Sequence, residues 1–296
     1  MDGIKRFLIA LSIAGCGGGG GGGGMPTDAG DAMPGHDADI DAGPAPANDR
    51  CLNATTISIA SPHAEISATT AGANPDLAAP CGTAGTPDVF FKFTLNRREL
   101  VYADTFGATG NTALYFASSC VAARTASTTP GDAVCSTGAC STSQSQVVAL
   151  LDAGTHYLVL AGQGAATIHF QHAEVGTGTV THLAAGSSTT TGTTGSNDGQ
   201  LYACDAGGPE NAYWWHSCPS AAGGAFVAST CDNTAFDTMM SFQMPGADTV
   251  LCDDDSCSVY AAIGTTIPAG AGLYVLAVDG FSSAKLGNYS LSVTRP

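Results

Sequence analysis

Apolar positions in this chain come in short alternating runs, broken every several residues by Gly, Pro, Asn or Ser. Val89, Phe91 and Phe93 share one side of a period-2 pattern, and Tyr289, Leu291 and Val293 do the same near the C-terminus. Such alternation is the mark of a strand with one buried face. Asp152-Ala153-Gly154 and Pro268-Ala269-Gly270 place turn residues just ahead of further apolar runs. No stretch past the first residues sustains a 3.6-residue period. Many short strands with regular turns predict an all-β chain, and about 120 residues per unit suits a β-sandwich.

The pattern occurs twice, and residues 49–174 lie over 177–296 as a diverged duplication. From Cys81 and Cys204 the register runs without gaps, setting Asp88-Val89-Phe90-Phe91-Lys92-Phe93 over Asn211-Ala212-Tyr213-Trp214-Trp215-His216. Val134-Cys135 through Cys140 lies over Leu251-Cys252 through Cys257, and Tyr157-Leu158-Val159-Leu160 over Tyr274-Val275-Leu276. The fold expected is two tandem β-sandwich, jelly-roll-like domains, 49–174 and 177–296, after a disordered tether.

What precedes them has another character. Lys5 and Arg6, the apolar run Phe7 to Gly15 and then Cys16 form a secretory signal over residues 1–15, too short for a membrane span. Ile13-Ala14-Gly15-Cys16 resembles the bacterial lipobox, which implies lipidation of Cys16 and anchorage in a membrane. Gly17 stands where an aspartate would act in some bacteria as an inner-membrane retention signal, which favours the outer membrane or cell surface of a Gram-negative bacterium. Residues 16–48 continue with eight glycines and an Asp/Ala/Gly/Pro-rich stretch. Such a segment cannot offset its chain entropy by burial, and as a flexible coil it reaches about 30 Å r.m.s..

Charge narrows the partners. With 9 Lys+Arg against 25 Asp+Glu, the formal net charge is −16, which repels nucleic acid phosphates and anionic head groups. Eleven cysteines without a CxxC pair or a zinc-type Cys/His cluster point to a disulfide framework in an exported protein.

The strand Asp88 to Phe93, the stretches Phe226 to Cys231 and Phe236-Asp237-Thr238, the loop Cys252-Asp253-Asp254-Asp255-Ser256-Cys257 and the end Gly287-Asn288-Tyr289-Ser290-Leu291-Ser292-Val293 resemble the bacterial pre-peptidase C-terminal (PPC) domain family. The first copy departs from it: Gly110-Asn111-Thr112 replaces Phe-Asp-Thr, and Ser136-Thr137-Gly138 replaces the acidic triplet. The resemblance implies β-sandwiches found on secreted proteases and surface proteins. Its motifs are structural and carry fold rather than function.

Setting Cys16 aside leaves five cysteines in each copy. Cys51–Cys81 and Cys204–Cys218 are candidate bridges, and Cys135/Cys140 and Cys252/Cys257 are spaced to close tight loops. Cys120 and Cys231 then remain unassigned, and a bridge between the copies through them is the expectation that follows. Asp253-Asp254-Asp255 has two readings: a solvated hairpin tip, or a Ca²⁺ site completed by Asp279 or carbonyls. Ca²⁺ is the one cofactor considered. Tyr213 and Trp215 are the candidate ligand-binding aromatics. With Trp214 in register with buried Phe91, Trp215 matches Lys92 and faces solvent, as a contact surface would; its alternative is cover by a loop or the other domain.

The seven histidines form no HExxH motif, and the chain has no GxSxG elbow or P-loop. The expected function is therefore non-catalytic: a surface lipoprotein presenting binding modules to extracellular glycan or protein. An accessory module positioning or stabilising a secreted protease is the alternative, and a hydrolase on a sandwich scaffold the third reading.

Overall fold

Strands make up the regular structure, with a short 3-10 turn at Cys51–Asn53. The computed structural model describes residues 44–120, 132–195, 204, 207–232 and 234–296, with the backbone alone at 122–123. The signal, Cys16 and residues 16–43 of the expected tether lie outside the described residues. Asn48, at the expected end of that tether, is tied to Phe90: its carbonyl accepts from Phe90 N at 2.9 Å and its amide donates to Phe90 O at 3.1 Å.

The first half of the folded part carries β1 (Thr55–Thr56), β2 (His63–Thr69), β3 (Asp88–Leu95), β4 (Glu99–Asp104), β5 (Thr112–Ser119), β6 (Ala122–Ala123), β7 (Cys135–Ser136), β8 (Gln146–Leu151), β9 (Gly154–Gly162) and β10 (Ala165–Glu174). The second carries β11 (Val180–His182), β12 (Ser188–Thr193), β13 (Glu210–Ser217), β14 (Gly224–Ser229), β15 (Thr238–Gln243), β16 (Leu251–Asp253), β17 (Ala262–Ile267), β18 (Gly272–Gly280) and β19 (Asn288–Thr294). Sheet A runs β1-β3-β9-β5-β6 with β7 also on β5, and sheet B runs β2-β10-β4-β8. Sheet C, β11-β13-β18-β15-β16, and sheet D, β12-β19-β14-β17, repeat those orders. The chain is all-β, and each pair of sheets has the strand order of a jelly roll. β1 and β11 add a short parallel edge to β3 and β13.

Alternation fills three apolar layers. Val89, Phe91 and Phe93 of sheet A meet Val101, Val147 and Phe170 of sheet B inside the first sandwich. Trp215, Phe242 and Leu276 of sheet C meet Phe226, Leu291 and Val293 of sheet D inside the second. The third layer joins the sandwiches: Leu100, Tyr102, Val148, Leu150 and Ala173 on the outer face of sheet B pack on Ala212, Trp214, Leu273 and Val275 of sheet C. Each large apolar side chain so buried contributes about 1.5–3 kcal/mol. Residues 42–296 are accordingly one compact unit of four stacked sheets.

All ten cysteines among the described residues are paired, in a pattern that corrects the expected bridges. The bonds are Cys51–Cys120, Cys81–Cys135, Cys140–Cys218, Cys204–Cys252 and Cys231–Cys257. Cys135 and Cys140 do not close on each other. Cys135 lies in β7 and packs against the layer outside sheet A, where Cys81 waits, whereas Cys140 sits in a turn at φ 57° and reaches the second sandwich. A bond between the copies does exist, but through Cys140 and Cys218 rather than Cys120 and Cys231.

Trp215 is a second correction. Pairing of Leu95 with Gly154 and of Ser217 with Gly272 sets Phe93, not Lys92, in the place of Trp215. A one-residue slip exchanges the faces of a whole strand. Trp215 is therefore in the core, 5% exposed, stacked on Tyr274 at 4.9 Å, and Trp214 points outward into the layer between the sandwiches.

Candidate functional site

Only part of the outer face of sheet B is covered by sheet C. The uncovered part carries two cross-strand rows of polar side chains: Glu65, His169 and Asp104, and beside them His63, Gln171 and Tyr102. They form the floor of a groove of about 430 Å³, walled by Phe106 and by Pro219, Pro245 and Pro268 of the second sandwich. Neither sandwich alone would enclose it.

The floor is ordered from beneath. Asp104 is buried; its Oδ1 accepts from Phe106 N at 2.9 Å and from His169 Nδ1 at 2.8 Å, and its Oδ2 accepts from the Tyr102 hydroxyl at 2.7 Å. Burial and then Asp104 hold the Tyr102 hydroxyl far above its ordinary pKa, so it stays a donor. Gln146 donates from Nε2 to the Tyr102 oxygen at 3.0 Å and to the carbonyl of Ser217 at 2.9 Å, linking the relay to the second sandwich. The hydrogen bond to Asp104 raises the His169 pKa, against its burial. With Nδ1 committed as donor, neutral His169 keeps the Nε2 lone pair, the arrangement that fixes an imidazole for recognition.

The seam beside the groove is fixed by more than apolar packing. Leu273 N donates to Gln171 Oε1 at 2.7 Å, Gln243 Nε2 donates to the His172 carbonyl at 2.9 Å, and His172 Nδ1 donates to Glu99 Oε2 at 2.6 Å. At the rim, His63 Nδ1 lies 3.6 Å from Asp248 of the second sandwich.

A second cavity, of about 400 Å³, opens between β11 and the C-terminal end of the chain. Arg295 lies over the Trp215 ring at 4.7 Å and donates to the carbonyls of Leu183, Ala184 and Gly186. His182 and His216 line it with ring centres 6.2 Å apart. Burial, then the neighbouring His182, pushes His216 down to about 4. Arg295 is spent on the backbone, so this cavity presents no free cationic donor.

The residues singled out from sequence fall elsewhere. Tyr213 and Trp215 are both buried in the second core, and the Tyr213 hydroxyl lies 2.7 Å from that of Tyr289. Asp253 secures its own loop, Oδ1 accepting from Ser256 Oγ at 2.6 Å and Oδ2 from Ala262 N at 2.7 Å. Asp254 is half-buried and Asp255 exposed, and Asp279 lies apart on β18, opposite Glu210. Among the described residues no group of three His, Cys, Asp or Glu side chains gathers in metal-binding geometry. The groove residues were missed because each is one polar position in an alternating strand. Their convergence comes from pairing of β2, β10 and β4, and the wall comes from the other sandwich.

Comparison with known families bears on the first sandwich. Residues 47–172 match the family GBD_T9SS_assoc, described as galactose binding domain-like. The match takes in the whole groove floor, from His63 to Gln171, and none of the proline wall. No curated protein matches the chain. Solved structures with some likeness include a protein from Eubacterium rectale described as secreted, 11% identical over 71% of this chain and 70% of that one, with a TM-score of 0.21. The CUB1-EGF-CUB2 domain of human MASP-1/3 is 10% identical over 79% and 100%, also with a TM-score of 0.21. Scores so low carry no argument.

Proposed function

We propose that this protein is an exported surface module that binds extracellular glycan in the groove between its sandwiches, without turning it over. One observation carries the reading: a concave site whose polar groups converge from three strands of one sandwich and whose apolar wall comes from the other. Pocket sites of this kind combine mostly apolar walls with a few oriented polar groups. The galactose binding domain-like match over the floor supports a carbohydrate or protein binding module over a catalytic one. Five disulfides support an oxidising, extracellular setting.

In this reading Cys16 carries the lipid, residues 16–48 lead to the folded part, and 49–174 and 177–296 are PPC-like copies that together make one site. Isothermal titration against an oligosaccharide panel tests the binding claim. His169→Ala is expected to weaken the best ligand at least tenfold in a protein that still unfolds cooperatively, at a melting temperature lowered by the loss of the partner of buried Asp104. Unchanged affinity would overturn the assignment of the groove. For the anchor, Cys16→Ser should move the protein from the membrane fraction to the soluble one.

A further inference from the structure

We infer that the groove selects sugars bearing a protonated amine over neutral and acidic ones, a deepening that rests on the glycan-binding reading above. Five titratable side chains line it, His63, Glu65, Tyr102, Asp104 and His169, and no Lys or Arg is among the lining residues. Asp104 is not available to a ligand. Its two oxygens are taken by Phe106 N, His169 and Tyr102, so its charge is spent inside the fold on holding the imidazole.

Glu65 differs. It is exposed and stands directly opposite His169 across the β2–β10 pair, where its charge helps Asp104 raise the His169 pKa, and it makes no ion pair within contact distance among those the structure records. A carboxylate in a concave, partly apolar site attracts a cation more strongly than one on an open surface. Asp248, exposed at the rim beside His63, adds a second negative charge. An ammonium on the ring would donate to Glu65, while at pH 6.0 His169, its pKa raised by Asp104, is protonated and donates from Nε2 to a neighbouring hydroxyl oxygen beside Gln171. A uronic acid or sulfated sugar would bring its charge toward Glu65 and Asp248, on a chain that already carries −16. An N-acetyl group keeps the ring and removes the charge, so it isolates the contribution of the amine.

The test is calorimetric titration of the purified full chain with tetramers of glucosamine, N-acetylglucosamine and galacturonic acid at pH 6.0, in low and in high salt. The glucosamine tetramer should bind at least fivefold more tightly than the N-acetylated one, with the difference shrinking in high salt, and the galacturonic acid tetramer should not bind. Glu65→Gln should bring the first ratio near one, chiefly by weakening the glucosamine tetramer. Equal or tighter binding of the N-acetylated tetramer, or an amine preference that survives Glu65→Gln, would overturn the inference and leave the glycan reading standing. No binding to any sugar would overturn both. Tighter capture of a tetralysine peptide than of the glucosamine tetramer would overturn the sugar assignment in favour of a basic protein partner.

Discussion

Sheets A and C occupy the same place in their sandwiches, and their outer faces are covered by different things. Over sheet A lies chain without regular strands: Cys51, Ala54, Leu77 and Ala79 pack on Phe90, Tyr115 and Val159, held by the Cys51–Cys120 and Cys81–Cys135 bonds. Over sheet C lies another sheet, with Trp214 at the contact. Buried acids at the start of β3 and β13 show the same divergence. Asp88 accepts from Asp76 N, Leu77 N and the Tyr115 hydroxyl, and so pins the covering loop. Glu210, at the same point of β13, accepts from Thr177 N but also faces Asp279, where the first sandwich has Ala161. The lesson is that the outer face of a jelly-roll sheet takes its character from its neighbour, and the neighbour of sheet C is itself a sheet.

The largest test of that contrast is substitution at the two strand-equivalent positions Lys92 and Trp214. Trp214→Ala should cost about 3–5 kcal/mol in denaturant unfolding, whereas Lys92→Ala should stay within about 0.5 kcal/mol. A loss under about 1 kcal/mol at Trp214 would mean that the sheet-on-sheet layer is not what holds the sandwiches. Next in size is the bond between them. Replacing Cys140 and Cys218 together by Ser should cost about 2–4 kcal/mol, and a non-reduced peptide map of the native protein should show that pair and none between Cys120 and Cys231.

The acid pair yields a smaller effect that vanishes as the pH falls. Burial, then Glu210, pushes Asp279 up to about 8. Between about 4 and 8 the folded chain therefore holds a proton that the unfolded chain has released, and stability falls as pH rises through that window. Asp279→Asn should stabilise by about 1–2 kcal/mol at pH 8.5 and add nothing at pH 4. At the far end of the seam the sign is opposite. His216, held down to about 4, leaves the folded state with fewer protons than the unfolded one below pH 6.5, so stability is lost as pH falls from there towards 4. His216→Gln should flatten that acid limb by about 1 kcal/mol, read from melting temperatures across the range.

Much of this architecture is legible in the residues. The alternation at 289–293 gives the inward face as observed, since sequence period and burial are the same fact for a strand packed on one side. At 89–93 it also gives the inward face, although Phe90 is buried on the outer one, because Lys92 and Thr94 mark that outer side. It fails where no polar residue marks either face. In β13, Ala212 to Trp215 are all below 6% exposed, so nothing in the run Ala-Tyr-Trp-Trp marks which side is core. The ungapped register from Cys81 and Cys204 puts that run one residue out and turns Trp215 outward. The disulfides escaped for a related reason: spacing along the chain favours near neighbours, while strand pairing brings together Cys204 and Cys252, 48 residues apart. The groove was the least visible of all, being a property of two sandwiches in contact.

Five cysteines per copy also impose an order on maturation. While only the first sandwich has been made it can close Cys51–Cys120 and Cys81–Cys135 by itself, but Cys140 must wait as a thiol for a partner 78 residues further on. Until then it is an unpaired thiol on a sandwich whose own two bonds are closed. Its closure marks the moment at which both halves of the groove are present.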